Sequence, residues 1–146
     1  DAVCDVTGID EKFDGIPRGY RAVQLWDSQV HHYFLKLFGR PARSTVCECE
    51  RVTGATIGQA LHLMNSPNLQ NKLSHEAGRI NRLTQRHKED NTLVEQLYLA
   101  TFSRRPTPNE LGNALEYLGS RRFQRRKAAE DLAWSLMNSF EFIFNH

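Results

Sequence analysis

The sequence has few of the features that mark disulfide-rich, membrane-spanning or strongly charged proteins. Only three of its 146 residues are cysteines (Cys4, Cys47 and Cys49), and an odd number cannot all pair within one chain. No apolar run approaches the roughly 20 residues that a membrane-spanning helix needs. The formal net charge is +2, which by itself does not indicate a nucleic-acid-binding protein. We therefore expect no membrane span and do not expect nucleic acid as the partner.

Sequence motifs of well-known cofactor and catalytic sites are also missing. There is no Cys-x-x-Cys-His segment, so the chain itself is not predicted to attach a haem. It has no glycine-rich phosphate loop, no nucleophile elbow and no His-Glu-x-x-His segment. We assign no catalytic residue and no resident cofactor to this chain, with a metal ion as the one alternative considered below.

The residues that are present predict an all-α or mainly α fold of about six or seven helices in one compact domain. The clearest apolar stripe runs from Leu93 to Phe102 and follows the period of a helix. Thr107 to Glu110 reads as a capping box with proline at the first helical position. We expect a single domain over 1–146, with a loop-rich part containing one helix at 1–55 and a helical part at 56–146. A minor two-stranded ribbon of residues 20–26 with 45–51 is the only strand structure that the sequence allows.

The most unusual segment is Cys47-Glu48-Cys49-Glu50-Arg51. A metal or redox site there would use these candidate ligands: Cys47, Cys49, Glu50, His62 and His146. Against it, one residue separates the cysteines, whereas structural zinc sites usually have two to four. A disulfide from Cys4 to Cys47 or Cys49, or three reduced and buried thiols, would also explain the cysteines. The sequence leaves these three interpretations open.

A basic cluster precedes and opens the last long helix. Its members are Arg121, Arg122, Arg125, Arg126 and Lys127. Cations at the start of a helix oppose the helix dipole, so a dense group of them can indicate a surface that binds a polyanion. The alternative is that they pair with nearby acids such as Glu130 and Asp131, or are simply solvated.

Several segments, in order along the chain, resemble one family. They are Tyr20-Arg21-Ala22-Val23-Gln24-Leu25, Tyr33-Phe34-Leu35, Phe38-Gly39-Arg40-Pro41, Cys47-Glu48-Cys49-Glu50-Arg51, Gln59-Ala60-Leu61-His62-Leu63-Met64-Asn65, Leu97-Tyr98-Leu99-Ala100, Ser103-Arg104-Arg105-Pro106-Thr107-Pro108 and the ending from Asn138 to His146. The family is a C-terminal domain of unknown function in large exported proteins of planctomycetes and related bacteria. Many of those proteins also carry an N-terminal c-type cytochrome-like domain.

The resemblance implies that the chain is the C-terminal fragment of a longer, extracytoplasmic protein, either periplasmic or secreted. The start at Asp1, without an initiating methionine, agrees with a fragment. We expect a non-catalytic accessory or interaction domain. Its partners would be sister domains of the parent chain, a cell-surface polymer or another protein. The alternatives are the metal or redox site on Cys47 and Cys49 and, third, polyanion binding by the basic cluster.

Overall fold

Seven α-helices make up most of the residues that the structure describes. The computed structural model describes residues 1–25, 32, 35 and 65–145. The helices are α1 (Ala2–Thr7), α2 (Pro67–Leu73), α3 (Arg79–Arg86), α4 (Asp90–Phe102), α5 (Pro108–Ser120), α6 (Arg125–Met137) and α7 (Phe140–Asn145). Two short 3-10 turns lie at Ala22–Gln24 and Arg122–Gln124. The predicted helical class and helix number are confirmed.

The described residues divide into two compact units. Asp1 and the described part of Asp10–Asn65 form the first unit. Ala2–Ile9 and the described part of Ser66–His146 form the second, so α1 belongs with the C-terminal helices. None of the helices within these described residues is long and apolar enough to cross a membrane.

In the first unit, the segment expected to form half of a ribbon is instead a helical turn. The Asp1 carboxylate accepts hydrogen bonds from the backbone N–H groups of Ala22 (2.7 Å) and Val23 (3.2 Å). The Gln24 side chain accepts another from the N–H of Arg21 (2.8 Å). These contacts use donors that a strand pair would need, so the chain closes a 3-10 turn over Ala22–Gln24. The other half of the predicted ribbon, 45–51, lies outside the described residues.

A second group of contacts in this unit involves Phe13, which is only 4% exposed. The ring of His32 meets the Phe13 ring edge-on, with centroids 5.3 Å apart. His32 Nε2 also lies 3.6 Å from a carboxylate oxygen of Glu11. The histidine therefore joins an aromatic contact and a polar one, which suits its amphipathic ring.

The core of the second unit is built around α4. Leu93, Val94 and Leu97 are fully buried, as the apolar stripe predicts. Helix α4 packs against α5 and α6, and α6 also packs against α3. The facing side of α6 carries alanines at 128, 129 and 133, all fully buried, and their small side chains let the helix backbones approach closely.

Local capping sets the ends of these helices. The Thr107 hydroxyl accepts a hydrogen bond from the Glu110 N–H (3.4 Å), and the Glu110 carboxylate accepts one from the Thr107 N–H (2.7 Å). This is the predicted capping box. Ser66 caps α2 by accepting from the Leu69 N–H. Ser74 closes α2, because its N–H bonds to the Gln70 carbonyl, and α3 starts only after Gly78.

Helix α7 carries the apolar chain end and docks through one of its faces. Phe142 is 3% exposed, and Glu141 accepts two hydrogen bonds of 2.7 Å from Arg104. Phe140 and Phe144 face outward and stack on each other, with ring centroids 6.0 Å apart. Docking therefore uses the inner face of α7 and leaves an aromatic pair on its outer face.

Candidate anion-binding groove

The residues predicted for a metal or redox site lie outside the described residues. This holds for all five candidate ligands, Cys47, Cys49, Glu50, His62 and His146, so that site remains a prediction. Cys4 is described and is a free, half-buried thiol 3.9 Å from the ammonium nitrogen of Lys72. Among the described residues, no three His, Cys, Asp or Glu side chains come together as a metal site would require.

Arg125 of the predicted basic cluster is a structural residue. Its guanidinium donates to the Asp90 carboxylate (2.8 Å) and to the backbone carbonyls of Thr84 (2.9 Å) and His87 (2.8 Å). Both carbonyls belong to the end of α3, and Asp90 is the first residue of α4. One side chain of α6 therefore satisfies the open carbonyls of one helix and pairs with the first residue of the next.

Its neighbours in the cluster also have partners. Arg126 donates to the buried carboxylate of Glu130 (3.0 Å) and to the Ser74 carbonyl (2.6 Å). Lys127 lies 3.1 Å from a carboxylate oxygen of Asp131. Glu130 and Asp131 are the acids named above as alternative partners of the basic cluster. These contacts pair the cations in the middle of the cluster without a ligand. Arg121 lies over the Tyr117 ring, and Arg122 is fully at the surface.

A different set of arginines lies on α3. Arg79, Arg82 and Arg86 follow the spacing i, i+3, i+7 and therefore share one side of the helix, while Ile80 and Thr84 on another side are buried. The three arginines border a groove of about 690 Å³ between α3 and α4. The remaining lining residues are Leu83, Gln85, Gln96, Leu99 and Ala100.

The groove is cationic and has no acid in its wall. None of its lining residues is Asp or Glu, and within the described part of the chain the three guanidinium groups make no hydrogen bond or ion pair. Arg82 and Arg86 are an i, i+4 pair of like charges, which destabilises a helix by about 0.2–0.5 kcal/mol. Guanidinium groups bind carboxylates and phosphates through paired N–H donors, so the arrangement is chemically suited to an anion.

Gly8 brings the end of α1 against this stripe. It has a φ of +67°, the left-handed conformation that ends a helix at glycine. A β-carbon at this position would lie 2.8 Å from Arg82 Nη2 and 3.1 Å from both the backbone N and the Cβ of Arg79. The absence of a side chain therefore permits α1 to pack directly under the first turn of α3.

The shifted carboxylates of the second unit lie elsewhere, around Arg104. Hydrogen bonds from Arg104 lower the pKa of Glu110 to about 2, with a further contribution from Thr107. Arg104 also lowers the pKa of Glu141. The pair of carboxylates in turn raises the pKa of Arg104. All three groups stay ionised at neutral pH, so they link α5, α7 and the connection before α5 rather than exchange protons.

A second cavity, of about 560 Å³, lies beside α6, where Tyr117, Lys127, Asp131 and Trp134 are among its lining residues. Its charged groups, Lys127 and Asp131, are paired with each other, whereas Trp134 Nε1 is buried without a hydrogen-bond partner in the described residues. The Tyr117 hydroxyl donates to Asp131 (3.0 Å), and Lys127 pairs with the same carboxylate. Burial first, and then this hydrogen bond, raises the pKa of Tyr117. The cavity therefore offers a ligand fewer open charges than the arginine groove does.

The arginine stripe on α3 was not predicted from the sequence, although its spacing is visible there. The three arginines are spread over eight residues with apolar residues between them, whereas the cluster at 121–127 is dense. Density along the chain does not show whether an arginine is open to a ligand, because this depends on whether a carboxylate or carbonyl from another helix lies within reach.

Comparison with known proteins places the chain in a family. No curated protein and no solved structure was found that matches it. A family model does match, over residues 13–118, which is more than half of the chain. The chain therefore belongs to the family described as PSD1, a protein of unknown function (DUF1553).

Proposed function

We propose that this chain is a non-catalytic interaction domain of an exported, multidomain bacterial protein. The observation that carries the proposal is the groove beside α3, where three arginines without a partner in the described residues border an open cavity. An arginine stays protonated at any physiological pH, so it binds and orients an anion but does not transfer protons. The groove is therefore suited to binding an anion and not to transferring a proton.

The identity of the parent protein is part of the proposal. The sequence resemblance supports a parent with further domains and an extracytoplasmic location, either periplasmic or secreted. In such a protein, the partner would be a sister domain of the same chain, another protein or a cell-surface polymer. An interaction surface with open charges suits each of these partners, because charge complementarity fixes orientation and speeds association.

A turnover screen tests the non-catalytic part of this proposal. The purified chain is incubated with panels of hydrolase and redox substrates, with the heat-denatured chain as the blank. We expect no turnover above the blank for any substrate. A reaction that follows the concentration of folded chain would contradict the proposal, whatever the groove binds.

A further inference from the structure

The groove is lined by three arginines that have no hydrogen-bond or ion-pair partner among the described residues, whereas most other cations of the second unit that lie near acids are paired with them. Arg104 and Arg125 each contact carboxylates from other helices. Lys127 and Arg126 contact Glu130. Along α3, by contrast, three arginines lie around a cavity and have no partner among the described residues. A ligand for this surface must therefore bring several negative charges.

We propose that the groove between α3 and α4 docks an acidic polypeptide segment of a partner protein. The carboxylates of that segment bind Arg79, Arg82 and Arg86, and an apolar side chain of the segment packs on Leu99. This inference rests on the proposed function as an interaction domain and names the chemistry of its partner.

The spacing of the arginines favours an extended anion over a single small one. At 1.5 Å rise per residue, Arg82 follows Arg79 by about 4.5 Å along α3, and Arg86 follows Arg82 by about 6 Å. The positive charge is thus distributed over about 10 Å of helix. Acidic side chains three and four residues apart on a partner helix repeat at the same distances, so one such helix would present a carboxylate to each arginine.

The floor of the groove favours a polypeptide over other polyanions. Leu99 is 39% exposed, and Leu83 and Ala100 beside it also line the cavity. An apolar side chain of a peptide would cover this aliphatic surface, which neither phosphates nor sugar hydroxyls would do. None of the lining residues is aromatic, whereas single-stranded nucleic acids bind largely by stacking on aromatic rings.

Two amides supply hydrogen bonds that a peptide can use. Gln85 on α3 is exposed and Gln96 on α4 is half-buried, and both line the groove. A glutamine amide both donates and accepts, so each can pair with a polar side chain of a docked helix or with an open N–H or C=O at its end. Charge, apolar contact and hydrogen bonds are together the usual components of a protein–protein interface.

Fluorescence anisotropy with the full chain tests the inference. The probe is a labelled synthetic peptide with glutamates at three- and four-residue spacing around a central leucine, and its control is the same peptide with glutamine at every glutamate. We expect the acidic peptide to bind and the glutamine peptide not to bind. Arg82→Gln with Arg86→Gln should weaken binding at least about tenfold, since each replaces a charge-assisted contact.

A charge-matched variant separates the groove from net charge. Arg121→Gln with Arg122→Gln removes the same two charges from the basic cluster and should leave the affinity unchanged. Equal weakening by both double variants, or no binding of the acidic peptide at all, would overturn the inference. So would tighter binding of heparin, a single-stranded oligonucleotide or inorganic phosphate through Arg82 and Arg86. None of these binding results affects the outcome of the turnover screen. The non-catalytic role and the binding of an acidic segment are therefore tested independently.

Discussion

At the scale of single residues, the surroundings of each arginine decide what it does. Arg104 lies between the carboxylates of Glu110 and Glu141, with contacts of 2.7–2.9 Å, and also lies 5.3 Å from the centre of the Phe102 ring. Both acids are ionised above pH 5. The guanidinium therefore binds a carboxylate of α5 and a carboxylate of α7 at the same time. The arrangement predicts that acid lowers the stability of the folded chain.

The pKa of Glu110 gives the pH range of that effect. It is lowered from 4.5 to about 2 in the folded chain, chiefly by Arg104. The contribution of Glu110 to stability is therefore fully present above pH 4.5 and is lost as the pH falls toward 2. In Arg104→Gln, we expect the NMR titration midpoint of Glu110 to rise toward 4.5 without reaching it, since the Thr107 N–H still donates to the carboxylate.

The neighbouring arginine provides the control for this titration. Arg105 is exposed, and only its backbone carbonyl contacts Arg104. Arg105→Gln should leave the Glu110 midpoint near 2. A midpoint that does not move in Arg104→Gln would show that the carboxylate is held by its capping box alone.

At the scale of elements, Gly8 controls how α1 meets α3. Gly8→Ala would impose a left-handed φ on alanine, at about 1–2 kcal/mol. It would also place the new methyl group 3.1 Å from the Arg79 backbone nitrogen, and overpacking of this kind adds about 1–3 kcal/mol. The Arg82 guanidinium can move aside, whereas the backbone of α3 cannot.

Gly15 allows the two effects to be separated. It has a similar φ of +74°, but an added β-carbon would meet nothing within 4 Å. In urea denaturation, we expect Gly15→Ala to lower the free energy of unfolding by the conformational cost alone, and Gly8→Ala to lower it by clearly more. Equal losses would mean that α1 can shift away from α3 without cost.

The elements show what local sequence can and cannot predict. The α4 stripe and the Thr107 capping box were predicted because both depend on residues within a few positions of each other. The turn at Ala22–Gln24 was not, because it depends on a carboxylate 21 residues away at Asp1. The same limit applies to the candidate site. The spacing of the α3 arginines is visible in the sequence, but only the packed helices show that these arginines have no partner in the described part of the chain.

At the scale of the whole molecule, the small net charge conceals an uneven use of charge. Residues 74–146 carry eleven basic and nine acidic side chains, and most of the visible basic cluster contacts acids or carbonyls of the fold. Among the described residues, the three arginines on α3 line a cavity and remain without a partner. Arg125 therefore stabilises the fold through its contacts, whereas Arg79 belongs to the groove for which we propose a ligand.

Two substitutions at equivalent positions test this claim directly. Arg125 and Arg79 are each the first residue of a helix without a side-chain cap, so Gln at either position removes the same charge from the same place. The measurement is the free energy of unfolding in urea. Arg125→Gln should lower it by about 2 kcal/mol, the usual loss when hydrogen bonds from a charged group are removed. Arg79→Gln should leave it unchanged or raise it by a few tenths of a kcal/mol, because a cation near Arg82 and at a helix start is removed. A loss at Arg79 as large as that at Arg125 would contradict the account, because the groove arginines would then belong to the fold.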